Sequence, residues 1–298
     1  MKWQGVVPSI TTPFKADLSV DADLLVKQVD ALVRAGCTGV VAFGSLGEGG
    51  SLSFDEKKAV LRLCREALAG RASLVAAVAS TTTAEAVRLA ELGAEAGCDG
   101  LMVLPPYVYR GDWRETRAHF AAVIEATPLE CMLYNNPIAY GTDVLPEQMV
   151  DLAVALPNLA AVKESSADVR RVTSLRVLLG DRLALFVGVD DVVLECVQAG
   201  AVGWIAGLAD ALPAESVRLF ELAVAGRIAE ARDLYDWFLP LLRLDTVPKF
   251  VQLIKLVQQE TGLGSEVVRP PRLALAGEER EALLGLVRDA LARRPALD

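Results

Sequence analysis

The chain has 298 residues, of which 53% are hydrophobic and 23% charged, and its formal net charge is −9. Such a composition excludes an intrinsically disordered chain, and the acidic balance speaks against a nucleic-acid binder, because a duplex attracts a basic surface. The mean hydropathy is +0.36, but the longest apolar stretch, residues 196–209, is shorter than the ~20 residues that span a bilayer, so we expect no membrane association.

The predicted elements alternate between short apolar strands and amphipathic helices, such as Asp55–Leu68, Ala84–Ala96 and Arg114–Ala126. Continuous apolar strands separated by helices are typical of a parallel sheet that is covered on both faces. The predicted strands, in chain order, are Val6–Ile10, Val40–Phe43, Leu74–Val78, Leu101–Leu104, Cys131–Tyr134, Leu159–Lys163, Ala184–Val187 and Gly203–Ala206.

An internal repeat supports this alternation. The sequence AGCTGVV at residues 35–41 recurs as AGCDGLMV at residues 96–103, and a looser copy occupies residues 199–205. Each copy is typical of a helix end with a glycine cap, followed by a strand. The offset of 61 residues between the first two copies corresponds to two strand–helix units.

Eight such units favour an α/β fold in which the strands close into a (β/α)8 TIM barrel, although a doubly wound sheet has the same periodicity. After residue 212 the sequence shows only helical patterns, including Val247–Thr261 and Glu278–Arg294. We therefore predict a single domain over residues 1–298, made of a barrel (1–212) and a C-terminal helical extension (213–298).

The cysteines are odd in number, and none is spaced as CxxC: Cys37, Cys64, Cys98, Cys131 and Cys196. This usage predicts reduced, buried thiols rather than disulfides or a zinc site. The first residues show no signal peptide, so we expect a cytoplasmic protein.

Metal chemistry has little support in the sequence. The single histidine, His119, lies inside a helical pattern, where a packing role is expected. The acidic residues Asp190, Asp191 and Glu195 could hold Mg²⁺, but acids at the start of a helix usually cap it and complement its dipole. We therefore predict no metal site.

Active sites of such barrels lie at the C-terminal ends of the strands, and a lysine stands at one of these ends. Of eight lysines, only Lys163 closes an apolar strand. In a desolvated barrel mouth its amine becomes nucleophilic and can form a Schiff base with a 2-oxo acid. Tyr134 ends the preceding strand and is the candidate proton carrier. The glycine loop 44–50 offers backbone N–H groups for a substrate carboxylate.

Together these strand ends resemble the dihydrodipicolinate synthase/N-acetylneuraminate lyase family of class I, Schiff-base barrels. The resemblance runs over essentially the whole chain and rests on GSLGE (44–48), YNNP (134–137), VKESS (162–166) and GVDD (188–191). It implies that Lys163 forms the Schiff base, that Tyr134 is the general acid/base, and that Ser45 binds the substrate carboxylate and relays protons. Further substrate-binding residues are expected at Gly44, Leu46, Gly47, Tyr107, Asn136, Gly188 and Ile205.

The resemblance also implies a homotetramer, built as a dimer of dimers, that acts on a small 2-oxo or cyclic 2-imino acid. No metal or organic cofactor is expected, because the iminium formed with Lys163 serves as the electron sink. In this family a tyrosine from the neighbouring subunit joins the proton relay. Here either Tyr107 or Tyr109 could take that place.

The sequence departs from dihydrodipicolinate synthases in three places. Their two adjacent threonines correspond to Ser45 and Leu46, their paired tyrosines to Tyr107 and Val108, and the arginine after their YNxP turn is missing from residues 138–141. That arginine binds the carboxylate of the second substrate in the family, and its loss removes a charge-assisted pair. We therefore expect a function other than lysine biosynthesis.

The combination of FGSLGE, YNNP, KESSADVRR, GVDD, GWIAGL and PLLRLD resembles more closely the Δ1-pyrroline-4-hydroxy-2-carboxylate deaminases of hydroxyproline degradation. This resemblance implies dehydration and ammonia release that give 2-oxoglutarate semialdehyde. The alternatives are a 2-keto-3-deoxy sugar acid dehydratase or aldolase, a dihydrodipicolinate synthase, and a non-enzymatic barrel that senses an oxo acid.

Overall fold

The computed structural model describes residues 1–297, and its central feature is a parallel eight-stranded sheet in the order β1-β8-β7-β6-β5-β4-β3-β2. The two ends of the sheet meet where Ser9 pairs with Val41 and the Ile10 amide donates to the Val41 carbonyl at 2.9 Å. The sheet is therefore a barrel, which confirms the predicted fold class and rejects the doubly wound alternative. The strands are β1 (Gly5–Val6), β2 (Gly39–Ala42), β3 (Ser73–Val78), β4 (Gly100–Val103), β5 (Glu130–Asn135), β6 (Leu159–Glu164), β7 (Ala184–Val187) and β8 (Gly203–Trp204).

Strands β1 and β8 are shorter than predicted. Beyond Val6 and Trp204 the two segments still exchange hydrogen bonds, from the Val7 amide to the Trp204 carbonyl at 2.8 Å and from the Ser9 amide to the Ala206 carbonyl at 2.9 Å. The apolar runs were thus assigned to the right segments, but the regular ladder ends early.

The helices cover the barrel, and six of the twelve within residues 1–297 begin at a side chain that caps them. Ser53 and Glu56 form a reciprocal capping box at the start of one helix, and Asp112 and Glu115 do so at another, which satisfies amides that the first turn leaves free. The helices are α1 (Ala22–Arg34), α2 (Phe54–Leu68), α3 (Thr83–Glu95), α4 (Trp113–Glu125), α5 (Pro137–Tyr140), α6 (Pro146–Ala155), α7 (Val169–Leu179), α8 (Val193–Gln198), α9 (Pro213–Val224), α10 (Ile228–Leu242), α11 (Phe250–Glu260) and α12 (Gly277–Ala292).

The segment after β8 is helical, as predicted, and packs against the barrel. Helix α9 contacts α8 and β1, and α11 packs near the short 3-10 turns Leu208–Asp210 and Arg243–Thr246. The division into a barrel (1–212) and an extension (213–298) stays a prediction.

All five cysteines are buried and free, as the sequence predicted, and burial raises the pKa of each thiol to about 12. His119 is buried within α4, where its Nδ1 lies 3.0 Å from the Thr83 hydroxyl. Within residues 1–297, none of the helices combines the length and apolar character that crossing a bilayer requires.

Candidate active site

A cavity of about 880 Å³ opens at the C-terminal end of the barrel strands. Eight of the ten residues that the sequence singled out line it: Ser45, Leu46, Tyr107, Tyr134, Asn136, Lys163, Gly188 and Ile205. Gly44 and Gly47 are not among the lining residues. A second cavity, of about 470 Å³, is lined by Met1, Glu130 and Arg182 at the opposite end, which in such barrels serves stability rather than catalysis.

Lys163 and Tyr134 face the cavity from neighbouring strands. They are paired in the parallel register of β5 and β6, so both side chains point to the same side of the sheet. Lys163 is only 6% exposed, and its Nζ lies 3.9 Å from the centroid of the Tyr134 ring. This arrangement places the amine against the tyrosine ring within the same cavity.

Gly188, at the end of β7, makes room for the lysine. A Cβ at this position would lie 2.8 Å from both Cγ and Cε of Lys163 and would overlap the hydroxyl of Ser165. The Ser165 hydroxyl is itself fully buried and has no hydrogen-bond partner among the described residues. It is therefore free to bond to a substrate in the cavity.

A cluster of hydroxyls adjoins the lysine, and its central member was missed from the sequence. Tyr140 is hydrogen-bonded through its hydroxyl to Ser45 Oγ, and its ring centroid lies 5.5 Å from that of Tyr107 and 5.6 Å from that of Tyr134. Burial raises the pKa of Tyr140 and Tyr107, so both phenols are neutral near pH 7. The Asn136 amide donates to the Tyr134 hydroxyl at 3.1 Å.

The short helix α5 places Tyr140. Pro137 starts this four-residue helix, and the Asn136 side chain caps it by accepting from the Ala139 amide at 2.9 Å. Tyr140 thus comes from the same segment in which the family arginine is missing, and that gap was the one signal that could have drawn attention to it. Of the two tyrosines considered for the relay, Tyr107 lines this chain's own cavity, whereas Tyr109 is exposed and bonds to Glu115.

The glycine loop after β2 is held in place by a buried ion pair. Glu48 has a left-handed backbone (φ 53°), and its carboxylate accepts from Lys255 Nζ at 2.6 Å, with neither side chain exposed. Lys255 also donates to the Thr12 and Val267 carbonyls at 2.8 and 2.7 Å. Since no charge is left unpaired, the loop has a fixed shape.

Gly44 and Gly47 contribute to that shape rather than to the cavity wall. A Cβ on Gly44 would overlap the Ser9 hydroxyl, and one on Gly47 would lie 2.7 Å from the Ile10 carbonyl oxygen. Within residues 1–297 the backbone amides of Ser45 and Leu46 donate to no protein acceptor. They are therefore available to a carboxylate.

Asp190 ties the ends of β7 and β8 together behind the cavity. Its buried carboxylate accepts from Trp204 Nε1 at 2.9 Å and from the Leu208 amide at 2.8 Å. Burial raises its pKa to about 6, against the opposing effect of these donors and of Lys163. Of the acids that were weighed against a Mg²⁺ site, Asp190 is engaged in the scaffold while Asp191 lines the cavity. Residues 1–297 contain no cluster of three metal-ligating side chains.

The C-terminal segment supplies further lining residues to which the sequence assigned no individual role, although Asp245 ends the PLLRLD motif (240–245). They include Arg272, whose guanidinium lies 3.7 Å from Glu48, and Asp245. Both stand in the segment after β8, where the rule that strand ends carry the chemistry gives no guidance.

The chain is similar to known proteins over nearly its whole length. The family model described as "Dihydrodipicolinate synthetase family" matches residues 2–290. The 4-hydroxy-tetrahydrodipicolinate synthase of Rhizobium meliloti is 34% identical over 272 residues, which cover 91% of this chain and 92% of that protein.

Two solved structures show the same architecture. The 4-hydroxy-tetrahydrodipicolinate synthase of Methylacidiphilum fumariolicum SolV superposes with a TM-score of 0.92 at 27% identity, covering 98% of both chains. YagE, a prophage protein of E. coli K12 that was solved in complex with pyruvate, gives a TM-score of 0.92 at 25% identity, covering 98% of this chain and 99% of that chain.

Proposed function

The chain belongs to the dihydrodipicolinate synthetase family, whose members are class I Schiff-base lyases, and from that premise we propose that Lys163 forms a Schiff base with C2 of a 2-oxo or cyclic 2-imino acid. The observation that carries the proposal is the buried Lys163 amine 3.9 Å from the Tyr134 ring, inside a cavity that fits a small molecule. A relative of the same fold binds pyruvate, a 2-oxo acid.

The substrate carboxylate would bind the free amides of Ser45 and Leu46. Backbone N–H groups in a glycine loop form such anion sites without a charged side chain. The protein as a whole carries a net charge of −9 and does not attract anions, so this local site must supply the attraction. Arg272, on the same side of the cavity, adds a positive charge.

Protons would pass between the substrate and two hydroxyl-bearing residues. Tyr134 stands beside Lys163 and acts as general acid/base at C2 and C3. Ser45 and Tyr140, joined by their hydrogen bond, would carry protons between this point and the outer cavity. In this relay Tyr140 of the same chain is hydrogen-bonded to Ser45, so the serine has a tyrosine partner without a neighbouring subunit.

Within this class of reaction we propose Δ1-pyrroline-4-hydroxy-2-carboxylate as the substrate. Lys163 Nζ forms a bond to C2 and the bond between C2 and the ring nitrogen breaks, which leaves a primary amine on C5. Removal of a proton from C3 then gives an enamine, and the C4 hydroxyl leaves as water. The C2 iminium accepts the electrons in each step.

Loss of a proton from C5 and gain of one at C3 convert the amine on C5 into an enamine, and movement of a proton from its nitrogen to C4 gives the imine. One water hydrolyses this imine and releases ammonia, and a second releases the product from Lys163. In sum, one water is consumed, and ammonia and 2-oxoglutarate semialdehyde are formed. The absence of an arginine from residues 138–141, where Tyr140 instead turns to Ser45, supports this substrate over one with a second carboxylate.

Borohydride reduction in the presence of pyruvate tests the covalent step. We expect a mass increase of one reduced pyruvate adduct on Lys163, and its loss in Lys163→Ala. Lys249→Ala, which changes an exposed lysine, should be labelled like the wild type. An unlabelled Lys163, or full activity of Lys163→Ala, would show that the proposal is wrong.

A second candidate function is that of a dihydrodipicolinate synthase. The relatives named 4-hydroxy-tetrahydrodipicolinate synthase and the Arg272 guanidinium in the cavity wall favour it. Ammonia release from the hydroxypyrroline substrate supports the deaminase, whereas condensation of pyruvate with aspartate semialdehyde supports the synthase. Turnover of 2-keto-3-deoxy sugar acids would indicate the dehydratase or aldolase, and tight binding without turnover the sensor.

The assembly and location are also part of this proposal. We infer a cytoplasmic homotetramer, a dimer of dimers, from the family resemblance. Light scattering coupled to size exclusion gives the mass in solution. A particle of one or two chains at assay concentration would contradict the tetramer.

A further inference from the structure

One carboxylate in the cavity wall has no protein partner. Three carboxylates line the cavity: Glu48, Asp191 and Asp245. Glu48 pairs with Lys255 at 2.6 Å, and Asp191 lies 3.6 Å from Arg243. Asp245 forms neither an ion pair nor a hydrogen bond with any of residues 1–297. The charge of Lys163 lowers the pKa of Asp245 without a direct contact between the two side chains.

The backbone around Asp245 is shaped to admit its carboxylate. Asp245 lies in the 3-10 turn Arg243–Thr246, which packs against the turn Asp190–Val192 after β7. A Cβ on Gly207, just after β8, would lie 2.6 Å from Asp245 Cγ and would overlap its Oδ1. The carboxylate therefore rests on the β8 end of the barrel and reaches the cavity at that point.

The surroundings of Asp245 disfavour its charge. It is half-buried, and Asp190, Asp210 and Asp191 lie near it. Burial and these like charges raise its pKa well above the usual value, while Lys163 opposes the shift. A carboxylate in such a position gains most from a ligand that brings a positive charge or hydrogen-bond donors.

Apart from Lys163, the cationic side chain that lines the cavity lies away from Asp245. Arg272 contacts Glu48 in the loop after β2 and its charge reaches Tyr107 after β4, whereas Asp245 stands at the end of β8. In an eight-stranded barrel β4 and β8 face each other, so Arg272 reaches toward the β4 side of the cavity and Asp245 stands on the β8 side. Ser165 lies after β6, and its buried hydroxyl also has no hydrogen-bond partner among residues 1–297. It is therefore, after Asp245, a second polar group of the cavity that a ligand could satisfy.

We propose that Asp245 is a specificity-determining residue that binds a cationic or hydrogen-donating group at the far end of the substrate and disfavours substrates with a carboxylate there. This rests on the proposed function, in which opening of the ring leaves an amine on C5. That amine is protonated near neutral pH, and it is formed at the end of the molecule farthest from the C1 carboxylate. A substrate held by its carboxylate at Ser45 and by C2 at Lys163 would direct this group to Asp245.

The test compares three probes that differ in their far end. Pyruvate has no tail, Δ1-pyrroline-2-carboxylate opens to a tail with an ammonium group, and 2-oxoglutarate ends in a carboxylate. Their dissociation constants are measured by titration calorimetry for the wild type and for Asp245→Asn. We expect Asp245→Asn to weaken binding of the pyrroline probe by about tenfold or more, to tighten that of 2-oxoglutarate by a similar factor, and to leave pyruvate nearly unchanged, as loss of one hydrogen bond to a charged group implies.

Two controls separate this role from general effects. Asp191→Asn removes a paired carboxylate from the same wall, and Asp233→Asn removes an exposed one from α10. Neither should show the opposite shifts for the two charged probes. If Asp245→Asn does not fold like the wild type, Asp245→Ser takes its place.

Three results would contradict the proposed role of Asp245. Shifts of the two charged probes in the same direction, changes below about twofold (under 0.5 kcal/mol), or an equal response in Asp191→Asn would overturn the role of Asp245. Calorimetry reports binding whether or not a covalent bond forms. Failure of borohydride labelling would contradict the Schiff base and with it the opening of the pyrroline ring, whereas the 2-oxoglutarate titration needs no covalent bond and would still test whether Asp245 disfavours a carboxylate.

Discussion

The buried pair between Lys255 and Glu48 offers a direct test of how the active-site loop is held. Both side chains are completely buried, and Lys255 makes three hydrogen bonds, to Glu48 and to two backbone carbonyls. Burial lowers the pKa of Lys255 to about 8, and Glu48 opposes this shift, so the lysine is charged at pH 7. The change Lys255→Met keeps most of the apolar stem and removes the charge.

The expected cost follows from the charge that is left behind. In Lys255→Met the Glu48 carboxylate keeps the Arg269 amide at 3.1 Å and Arg272 at 3.7 Å, but it loses its closest partner. Breaking a buried pair by removing one partner costs about 3–5 kcal/mol. At the ~2 °C per kcal/mol expected for a chain of this size, Tm should fall by roughly 6–10 °C.

A second lysine pair is a matched control. Lys249 and Glu279 approach to 2.7 Å, which is nearly the same distance, but their side chains are 53% and 49% exposed. Exposed pairs contribute about 0–1 kcal/mol, so Lys249→Met should lower Tm by no more than ~2 °C. Both variants remove a lysine–glutamate ion pair; the pairs differ in burial, and Lys255→Met also removes two hydrogen bonds to backbone carbonyls.

Thermal unfolding followed by circular dichroism measures both variants. The double variant Glu48→Gln/Lys255→Met should be more stable than Lys255→Met alone, because no charge is then left unpaired. The reasoning is refuted if Lys255→Met unfolds within ~2 °C of the wild type, or if Lys249→Met is destabilised to the same degree.

Three further changes address the site and its support. Tyr140→Phe removes the hydroxyl partner of Ser45 and should lower kcat by about 100-fold while pyruvate labelling persists; an unchanged kcat would exclude a relay through this tyrosine. Gly188→Ala places a methyl group against Lys163 and Ser165 and should abolish labelling and lower Tm by roughly 2–6 °C, because overpacking costs about 1–3 kcal/mol, so normal labelling at an unchanged Tm would contradict the packing argument. In the wild type the hydrogen bond from Arg269 lowers the pKa of Glu56 to about 2, and Glu56→Gln removes this ion pair. Because the folded-state pKa is below the usual 4.5, the pair stabilises the fold above pH 4.5 and loses this effect as pH falls through 2, so the Tm difference from the wild type should shrink over that range; a difference independent of pH would contradict this.

The barrel could be predicted because its strands are buried on both faces. Such strands leave continuous apolar runs that differ from the amphipathic helices between them, and each predicted run coincides with an observed strand or its immediate extension. The same logic identified Lys163 and Tyr134. In a parallel sheet the ends of adjacent strands lie side by side, so a lysine and a tyrosine that close consecutive runs must meet.

The remaining site residues could not be predicted because they come from long-range packing. Lys255 and Glu48 are 207 positions apart, and an apolar helical pattern does not indicate which end of the barrel the helix covers. The position of the Tyr140 side chain depends on the direction of α5 after Asn136, and that direction is set by one capping hydrogen bond between Asn136 and the Ala139 amide. Asp245 lies in a 3-10 turn, an element without a sequence periodicity of its own.

This division has a consequence for how substrate choice can change. The lysine and the tyrosine belong to strands whose register fixes them, so the Schiff base is a property of the barrel. Asp245, the residue proposed to meet the far end of the substrate, belongs to the segment after β8, as does Arg272 beside the glycine loop, and Lys255 of the same segment holds that loop. Substitutions in that segment can therefore alter which tail is accepted while the covalent chemistry persists, provided that the buried pair is kept. A chimera carrying residues 243–248 of a family member chosen because it has no acidic residue at the position of Asp245 should retain pyruvate labelling and bind 2-oxoglutarate more tightly, and loss of labelling would show that the two functions are not separable.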